Sequence, residues 1–145
     1  MSFGNNGKAI ANIKERSNSR PNDAAFSVIT QSDDKIIVVG IIEDIDFQGF
    51  EWHTLQEPTV SAGCAIVRYD QNGRLDPIFG SDKNGVVMTS LSNKDNFFTD
   101  VIVQPDDKII CVGAARNVDT NKVELVLVRY TKDGLLDFEF GKKIT

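Results

Sequence analysis

One ten-residue sequence motif occurs twice in this chain, as QPDDKIICVG at residues 104–113 and as QSDDKIIVVG at residues 31–40. The two copies agree at eight of ten positions. A second motif follows each copy, as AIVRYDQNGRLDPIFG at 65–80 and as VLVRYTKDGLLDFEFG at 126–141. Self-similarity of this kind is the sequence signature of a repeat architecture. The chain is therefore read as two copies of one structural unit.

Each copy of the first motif predicts a turn followed by a buried strand. The preceding residues, AFSVITQ and FTDVIVQ, have the composition of strands that lead into the turns. Asp34 and Asp107 suit these turns, because aspartate tolerates the left-handed conformation better than most residues with a side chain. The runs KIIVVGII and KIICVGAA are apolar on successive residues, which predicts strands buried on both faces.

Two further strands are expected to complete each four-stranded unit. GCAIVRY and ELVLVRY supply the strand after a variable loop, and the NG and DG dipeptides at Gly73 and Gly134 then form tight turns. A short strand opens each unit, at Lys8–Ile13 in the first and Gly85–Thr89 in the second. KKIT at 142–145 reads as the stub of a third. Helix is expected to be scarce, because no persuasive 3.6-residue apolar period occurs.

The two units differ in length because the first contains an insertion. In the first unit, 28 positions separate Gly40 of the core strand from Arg68 of the VRY strand. In the second unit, 16 positions separate the equivalent Gly113 and Arg129. The 12 extra residues lie within the loop from Glu43 to Ser61. We expect a single domain over residues 1–145, with repeat units at about 3–78 and 79–139 and a terminal strand stub at 140–145.

Composition indicates a globular chain without a nucleic-acid partner. A length of 145 residues suits one domain, and 41% hydrophobic with 26% charged residues is typical of folded proteins. A net charge of −5 opposes binding to phosphate backbones, which need a surplus of Lys and Arg. The first residues lack a secretory signal pattern, and no apolar run is long enough to cross a bilayer. We expect a soluble protein that is cytoplasmic or exported by a non-classical route.

The sequence predicts no metal and no cofactor. Cys64 and Cys111 lie inside apolar strand-like runs and not in a CxxC spacing, so buried free thiols are expected, with a disulfide or metal pair as the alternative. The single histidine has no partners at a zinc-ligand spacing. Residues 44–49 resemble the front of a calcium loop, but Leu55 stands where the twelfth position requires glutamate.

The combination of a QPDxKI turn, a VRY strand, an NG or DG turn and a closing LDxxFG resembles the bacterial delta-60 repeat family. The resemblance covers nearly the whole chain as two units. In that family the turn usually reads QPDGK, whereas this chain has Asp34 and Asp107 at the glycine position and Ser32 at the first proline. The family is regarded as propeller-like, with four strands per blade. The resemblance therefore implies an all-β fold of two four-stranded antiparallel blades.

Two blades leave open sheet edges, whereas propellers close with about four to eight blades. Unpaired edges promote association with other chains. We therefore expect the ring to be completed by homo-oligomerisation, as a trimer with six blades or a tetramer with eight. The expected partner is the chain itself, a glycan or another protein is a further candidate, and neither nucleic acid nor membrane is expected.

Polar residues that recur in both units are interpreted as scaffold. Asp76 and Asp137, in LDPIFG and LDFEFG, invite a catalytic interpretation because paired carboxylates can divide acid and base roles. Their recurrence favours capping of backbone N–H groups instead, and Arg68 and Arg129 are expected to pair with carboxylates or cover an apolar edge. The residues assigned to structural repeat turns are Asp34, Asp107, Asp76, Asp137, Gly73 and Gly134.

The insertion breaks the repeat symmetry and contains the only tryptophan and the only histidine. Its aromatic residues either pack the loop onto the protein or face a ligand. An aromatic ring can stack on a sugar face while neighbouring side chains exchange hydrogen bonds, which makes a carbohydrate-binding lectin the alternative function. The ligand-binding candidates are Trp52, His53, Glu51, Phe50 and Arg116.

The sequence thus favours a non-enzymatic binding or scaffold module that self-associates through open blade edges. It contains no GxSxG elbow, no Walker loop and no GxGxxG motif. A single histidine also leaves few options for a nucleophile–base pair. A hydrolase that uses loop carboxylates at a ring centre is the third interpretation.

Overall fold

The computed structural model describes residues 3–11, 13, 23–46, 59–91, 96–117 and 119–141. Within these ranges the protein forms seven strands in two antiparallel sheets and no helix. The described residues therefore contain no helix that could span a membrane. The first sheet has the order β1-β2-β3-β4 and the second β5-β6-β7. The strands are β1 (Ala24–Thr30), β2 (Ile36–Asp46), β3 (Thr59–Tyr69), β4 (Val86–Thr89), β5 (Asn96–Val103), β6 (Ile109–Arg116) and β7 (Val123–Tyr130). The all-β prediction is confirmed.

Strand β4 belongs to the first sheet. It pairs with β3 in an antiparallel register that places Val86 opposite Val67 and Thr89 opposite Cys64. The segment that the repeat analysis places at the start of the second unit thus completes the sheet of the first. A local residue pattern identifies a strand, but it does not identify the strand with which the segment pairs.

The second sheet has three strands within the described residues, whereas four were expected. The predicted opening strand Lys8–Ile13 is not a strand in its described part, where Lys8 forms a single bridge with Asn5. The predicted stub at 142–145 lies outside the described residues. The first sheet therefore has the four strands expected of a blade, and the second has three within the described residues.

The insertion lengthens the hairpin of β2 and β3. These strands have 11 residues each, whereas β6 and β7 have 8 each. Their ladder continues as far as the pair Asp46 and Thr59. The predicted loop from Glu43 to Ser61 is therefore wrong at both of its ends, which are strand, and residues 47–58 lie outside the described part of the chain.

The two sheets share one β-bulge at equivalent positions. The register shifts between Ala25 and Ser27 in β1 and between Phe98 and Asp100 in β5. A glycine lies opposite each bulge, at residues 40 and 113, where the paired strand comes close. A Cβ at either glycine would lie 1.9 or 2.0 Å from a backbone carbonyl oxygen of that strand.

The core lies between the sheets, and β5 packs against β1, β2 and β3. One face of each sheet fills it, and we call these the inner faces. The inner face of the first sheet consists of Ile37, Val39, Cys64 and Ile66, and that of the second consists of Phe98, Val101, Ile109, Cys111, Val128 and Tyr130. The opposite side of each sheet is its outer face.

Cys64 and Cys111 are free and buried in this core, which confirms the thiol prediction. Burial raises the pKa of the Cys64 thiol to about 12, because the thiolate would lose its hydration. Burial also raises the pKa of Cys111. Both thiols are therefore protonated near neutral pH.

Candidate functional site

The most extensive polar site lies where the turns of the first sheet meet the turns of the second. The tight turns after β1 and β5 both use an aspartate in the left-handed conformation, with φ of 63° at Asp34 and 61° at Asp107. The later turns use Gly73 and Gly134, with φ of 78° and 83°. We call this site the sheet junction. Its members are Gln31, Ser32, Arg68, Asp76 and Phe79 on the side of the first sheet and Asp107, Lys132, Asp133 and Gly134 on the side of the second.

Arg68 is the central side chain of the sheet junction and is buried. Its Nη1 donates hydrogen bonds to Gln31 Oε1 at 3.1 Å and to the carbonyl of Lys132 at 2.6 Å. Its Nε lies 2.9 Å from Asp76 Oδ2, and its guanidinium stands 4.4 Å from the centre of the Phe79 ring. A buried charge is tolerated when it is paired and hydrogen-bonded in this way. Arg68 therefore joins its own sheet to a turn of the other.

Gln31 and Ser32 reach the same turns of the second sheet. Gln31 Nε2 donates to the carbonyls of Asp107 at 3.1 Å and Lys132 at 3.2 Å. The backbone N–H of Ser32 donates to Asp107 Oδ1 at 3.0 Å, and its hydroxyl donates to Oδ2. These hydrogen bonds from Ser32 lower the pKa of the Asp107 carboxyl.

A Phe-Gly dipeptide completes the sheet junction. The backbone N–H of Gly80 donates to the carbonyl of Asp133 at 2.9 Å. The Phe79 ring is fully buried and lies against Gly134, where a Cβ would approach it to 2.6 Å. Glycine is therefore required at this turn both for its positive φ and for the space that the ring occupies.

The second sheet repeats the first-unit half of the junction. Arg129 Nε donates to Asp137 Oδ2 at 2.9 Å, and Nη1 donates to Gln104 Oε1 at 3.5 Å. Its guanidinium stands 4.7 Å from the centre of the Phe140 ring. Lys108 Nζ lies 3.3 Å from Asp137 Oδ2, as Lys35 Nζ lies 3.4 Å from its equivalent in the first sheet. A second set of junction groups is therefore assembled on this sheet.

The repeated aspartates occupy the same environment in both sheets. Asp76 Oδ1 accepts a hydrogen bond from the backbone N–H of Ile78, and Asp137 Oδ1 accepts one from Glu139, each at 3.1 Å. The other carboxylate oxygen of each aspartate faces an arginine and a lysine. Such an arrangement is typical of a structural ion-pair network.

The predicted ligand-binding residues are divided between described and undescribed parts of the chain. Arg116 is the last residue of β6, and its Nη1 donates to the carbonyl of Asn121 at 3.2 Å. The other four candidates, Phe50, Glu51, Trp52 and His53, lie outside the described residues. The lectin site therefore stays a prediction.

Sequence reasoning missed Gln31, Phe79 and the carbonyl of Lys132 as junction groups. The glutamine and the Phe-Gly dipeptide recur in both units, so recurrence of polar and aromatic residues beside the turns was a signal for them. A backbone carbonyl leaves no trace in sequence, because every residue has one.

Comparison with known proteins supports the propeller interpretation. A family model described as a domain of unknown function (DUF5122) with a β-propeller fold matches residues 104–140. This segment runs from the turn before β6 through β7 to the Phe140 turn. Searches of curated proteins and of solved structures found no match. The match covers about a quarter of the chain and is consistent with a propeller-like repeat in this segment, and the finer delta-60 assignment stays a prediction.

Proposed function

We propose that the chain is a non-enzymatic scaffold or binding module that builds a β-propeller by head-to-tail association of identical copies. The outer face of the second sheet in one copy packs on the outer face of the first sheet in the next. Three or four copies give six or eight blades, within the usual range for closed propellers. In the repeat alignment, the outer face of the second sheet is equivalent to the inner face of the first, and the outer face of the first is equivalent to the inner face of the second. Because the two inner faces pack together in the core, we expect the two outer faces to pack together between copies. This equivalence is the observation that supports the proposal.

The outer face of the second sheet is apolar and exposed. Leu127 is 54% exposed, whereas its equivalent Ile66 is 0% exposed in the core. Ile102 and Leu125 on the same face are also exposed. Contiguous exposed apolar surface is typical of interaction sites, and burying each such side chain stabilises by about 1.5–3 kcal/mol. This face has the composition of a surface that is covered by another sheet.

The outer face of the first sheet offers the matching surface. Val28 is 64% exposed, whereas its equivalent Val101 is 5% exposed. Ile36 and Val38 are half-buried, whereas their equivalents on the second sheet, Ile109 and Cys111, belong to the core. This face therefore presents apolar positions that a neighbouring second sheet would cover.

Side-chain volumes on the two outer faces change in opposite directions. Ala25 of the first sheet stands at the position of Phe98, and Leu125 of the second stands at the position of Cys64. Alanine in place of phenylalanine removes side-chain volume from the proposed interface, and leucine in place of cysteine adds it. Packing tolerates such exchanges when the total volume is roughly kept.

The polar contacts at the proposed interface would be fewer than those inside the chain. Arg129 and Gln104 are placed to donate to a following turn, as Arg68 and Gln31 do. Pro105, however, stands where Ser32 donates twice to an aspartate. Proline has neither an N–H nor a hydroxyl, so these two hydrogen bonds are lost. We expect the copies to associate more weakly than the two sheets of one chain.

Mass in solution tests the proposal. Sedimentation analysis is expected to give three or four times the chain mass of 16.0 kDa at high concentration. Leu127→Asp should shift the protein to monomer, because a carboxylate on the apolar outer face would lose its hydration. Thr120→Asp, which adds the same charge on an exposed turn, should leave the assembly unchanged. A wild-type protein that stays monomeric at every concentration would exclude the proposal.

A further inference from the structure

The dipeptide Phe-Gly occurs three times in the chain, at residues 3–4, 79–80 and 140–141. All three glycines have a positive φ, of 52°, 82° and 77°. The middle dipeptide holds the two sheets together by docking on the Asp133-Gly134 turn.

The first dipeptide docks on the equivalent turn of the first sheet. The backbone N–H of Gly4 donates to the carbonyl of Asn72 at 2.7 Å, as Gly80 donates to Asp133. The Phe3 ring lies against Gly73, where a Cβ would approach it to 2.9 Å. We call the Asn72-Gly73 turn the socket. It is filled by a dipeptide from the start of the same chain.

The residues after the first dipeptide and those after the middle one both lie near a VRY strand. Ala11 and Tyr69 both line a small groove on the first sheet. After the middle dipeptide, the hydroxyls of Thr89 and Tyr130 lie 2.6 Å apart. The segment after the first dipeptide therefore runs along the socket and the first sheet.

The third dipeptide is preformed for docking. The backbone N–H of Phe140 donates to the carbonyl of Asp137 at 3.1 Å, and the equivalent bond at Phe79 is 3.2 Å. Arg129 stands over the Phe140 ring as Arg68 stands over its equivalent. The Phe140 ring is half-buried, whereas the Phe79 ring is fully buried, so part of the Phe140 surface stays exposed.

Docking by the third dipeptide would complete a contact that the first leaves incomplete. Phe79 lies between Arg68 and its turn and is 0% exposed, whereas Phe3 in its socket remains 37% exposed. A Phe140 ring in the socket would bring Arg129 with it. It would therefore be covered on both sides, as Phe79 is.

We propose that the Asn72-Gly73 socket is the docking site for Phe140-Gly141 of a second copy, and that Phe3-Gly4 is an intramolecular competitor. This inference rests on the self-association proposed above. The socket has room for one ring, so Phe3-Gly4 must leave when the copies join. Assembly is thereby coupled to release of the N-terminal segment.

The two dipeptides should affect assembly in opposite directions. Phe140→Ala is expected to raise the dissociation constant of self-association by roughly 30-fold, because it removes a central aromatic anchor of the interface. Phe3→Ala is expected to lower it by about tenfold, because it increases the fraction of open sockets. Leu135→Ala, an exposed apolar residue of a neighbouring turn, is the control and should change nothing. Sedimentation at several concentrations measures all three variants.

Hydrogen exchange on the wild-type protein tests the exchange of dipeptides without any substitution. In the monomer the Gly4 amide is held by Asn72, so it should be protected at low concentration. On assembly the Gly4 amide should lose protection and the Gly141 amide should gain it. Continued protection of Gly4 together with an unprotected Gly141 in the assembled protein would overturn the proposal.

The outcomes separate this inference from the proposal on which it rests. If the wild type and all variants are monomeric, self-association itself is wrong. If the wild type assembles but Phe140→Ala assembles equally well, the socket is not the docking site and only this inference fails. If Phe3→Ala weakens assembly, the N-terminal segment supports the interface and the competitor role is wrong.

Discussion

At the scale of residues, the contact of Phe79 with Gly134 shows how a missing side chain can join two sheets. The glycine has a φ of 83°, and the space where its Cβ would stand is taken by the aromatic ring. Its dipeptide DG predicts a tight turn from sequence. The ring that fills the space comes from the other sheet, so only the tertiary structure identifies it.

Gly134→Ala is expected to lower the free energy of unfolding by about 2–5 kcal/mol. About 1–2 kcal/mol comes from the left-handed conformation and about 1–3 kcal/mol from crowding against Phe79. Gly7→Ala is the matched control, since Gly7 has a φ of 80° and nothing lies within 4 Å of its Cβ position. Urea unfolding measures both variants. Equal losses would show that Phe79 does not restrict the turn.

Ser32→Ala should lower stability in a pH-dependent manner. Hydrogen bonds from Ser32 lower the pKa of Asp107 from its ordinary value of 3.8. A carboxyl whose pKa is lowered on folding stabilises the protein above its unfolded-state pKa, and this contribution is lost as pH falls through the folded-state pKa. The variant should therefore be less stable than wild type near neutral pH, and the difference should shrink below about pH 4.

Urea unfolding across this pH range measures the effect. Ser81→Ala serves as the control, because the Ser81 hydroxyl donates to the carboxylate of the adjacent, exposed Asp82 at 3.3 Å. It should show little loss at any pH. A Ser32→Ala deficit that is the same at pH 3 and pH 7 would argue against the contribution from Asp107 ionisation.

At the scale of elements, the repeated bulge explains why each core strand contains a glycine. Gly40 and Gly113 lie opposite the bulges of β1 and β5, where the backbones come too close for a side chain. The sequence shows that this glycine recurs, but it does not show the bulge. Recurrence of glycine in a strand run is therefore a signal of close backbone approach.

Gly113→Ala is expected to destabilise the second sheet by about 3 kcal/mol or more, because the new Cβ would force β5 and β6 apart. Gly63→Ala is the control, since Gly63 lies in β3 with nothing within 4 Å of its Cβ position. That variant should be neutral or slightly stabilising, because alanine loses less backbone entropy than glycine on folding. Thermal unfolding ranks the two, and similar melting temperatures would contradict the close approach.

At the scale of the whole molecule, one buried thiol from each sheet reports on the core between them. Cys64 and Cys111 are both 0% exposed, and burial raises the pKa of each thiol. The thiolate is the reactive form, so a thiol reagent near pH 8 should react with native protein only as the sheets separate. Both thiols should then react in one slow phase, and urea-unfolded protein should react at once. Fast reaction of one thiol in the native state would disprove joint burial.

The sequence alone determined the repeat, the turns and most of the strands. These depend on local properties: aspartate and glycine at left-handed positions such as Asp107 and Gly134, and apolar β-branched runs in β2 and β6. Recurrence also assigned Asp76 and Asp137 to the scaffold, and in the structure each faces an arginine and a lysine. Local chemistry was sufficient for these features because neighbours in the chain supply the interactions.

Only the tertiary structure decided which face of each sheet is buried and which sheet receives β4. Val28 and Val101 are equivalent valines, yet one is exposed and the other lies in the core, because burial depends on whether another sheet covers that face. The sheet that β4 joins is likewise set by backbone hydrogen bonds to β3, which any sequence can form. Phe3 and Phe140 differ for the same reason: the first meets the Gly73 turn of its own chain, whereas the second lies against Arg129 and stays half-buried.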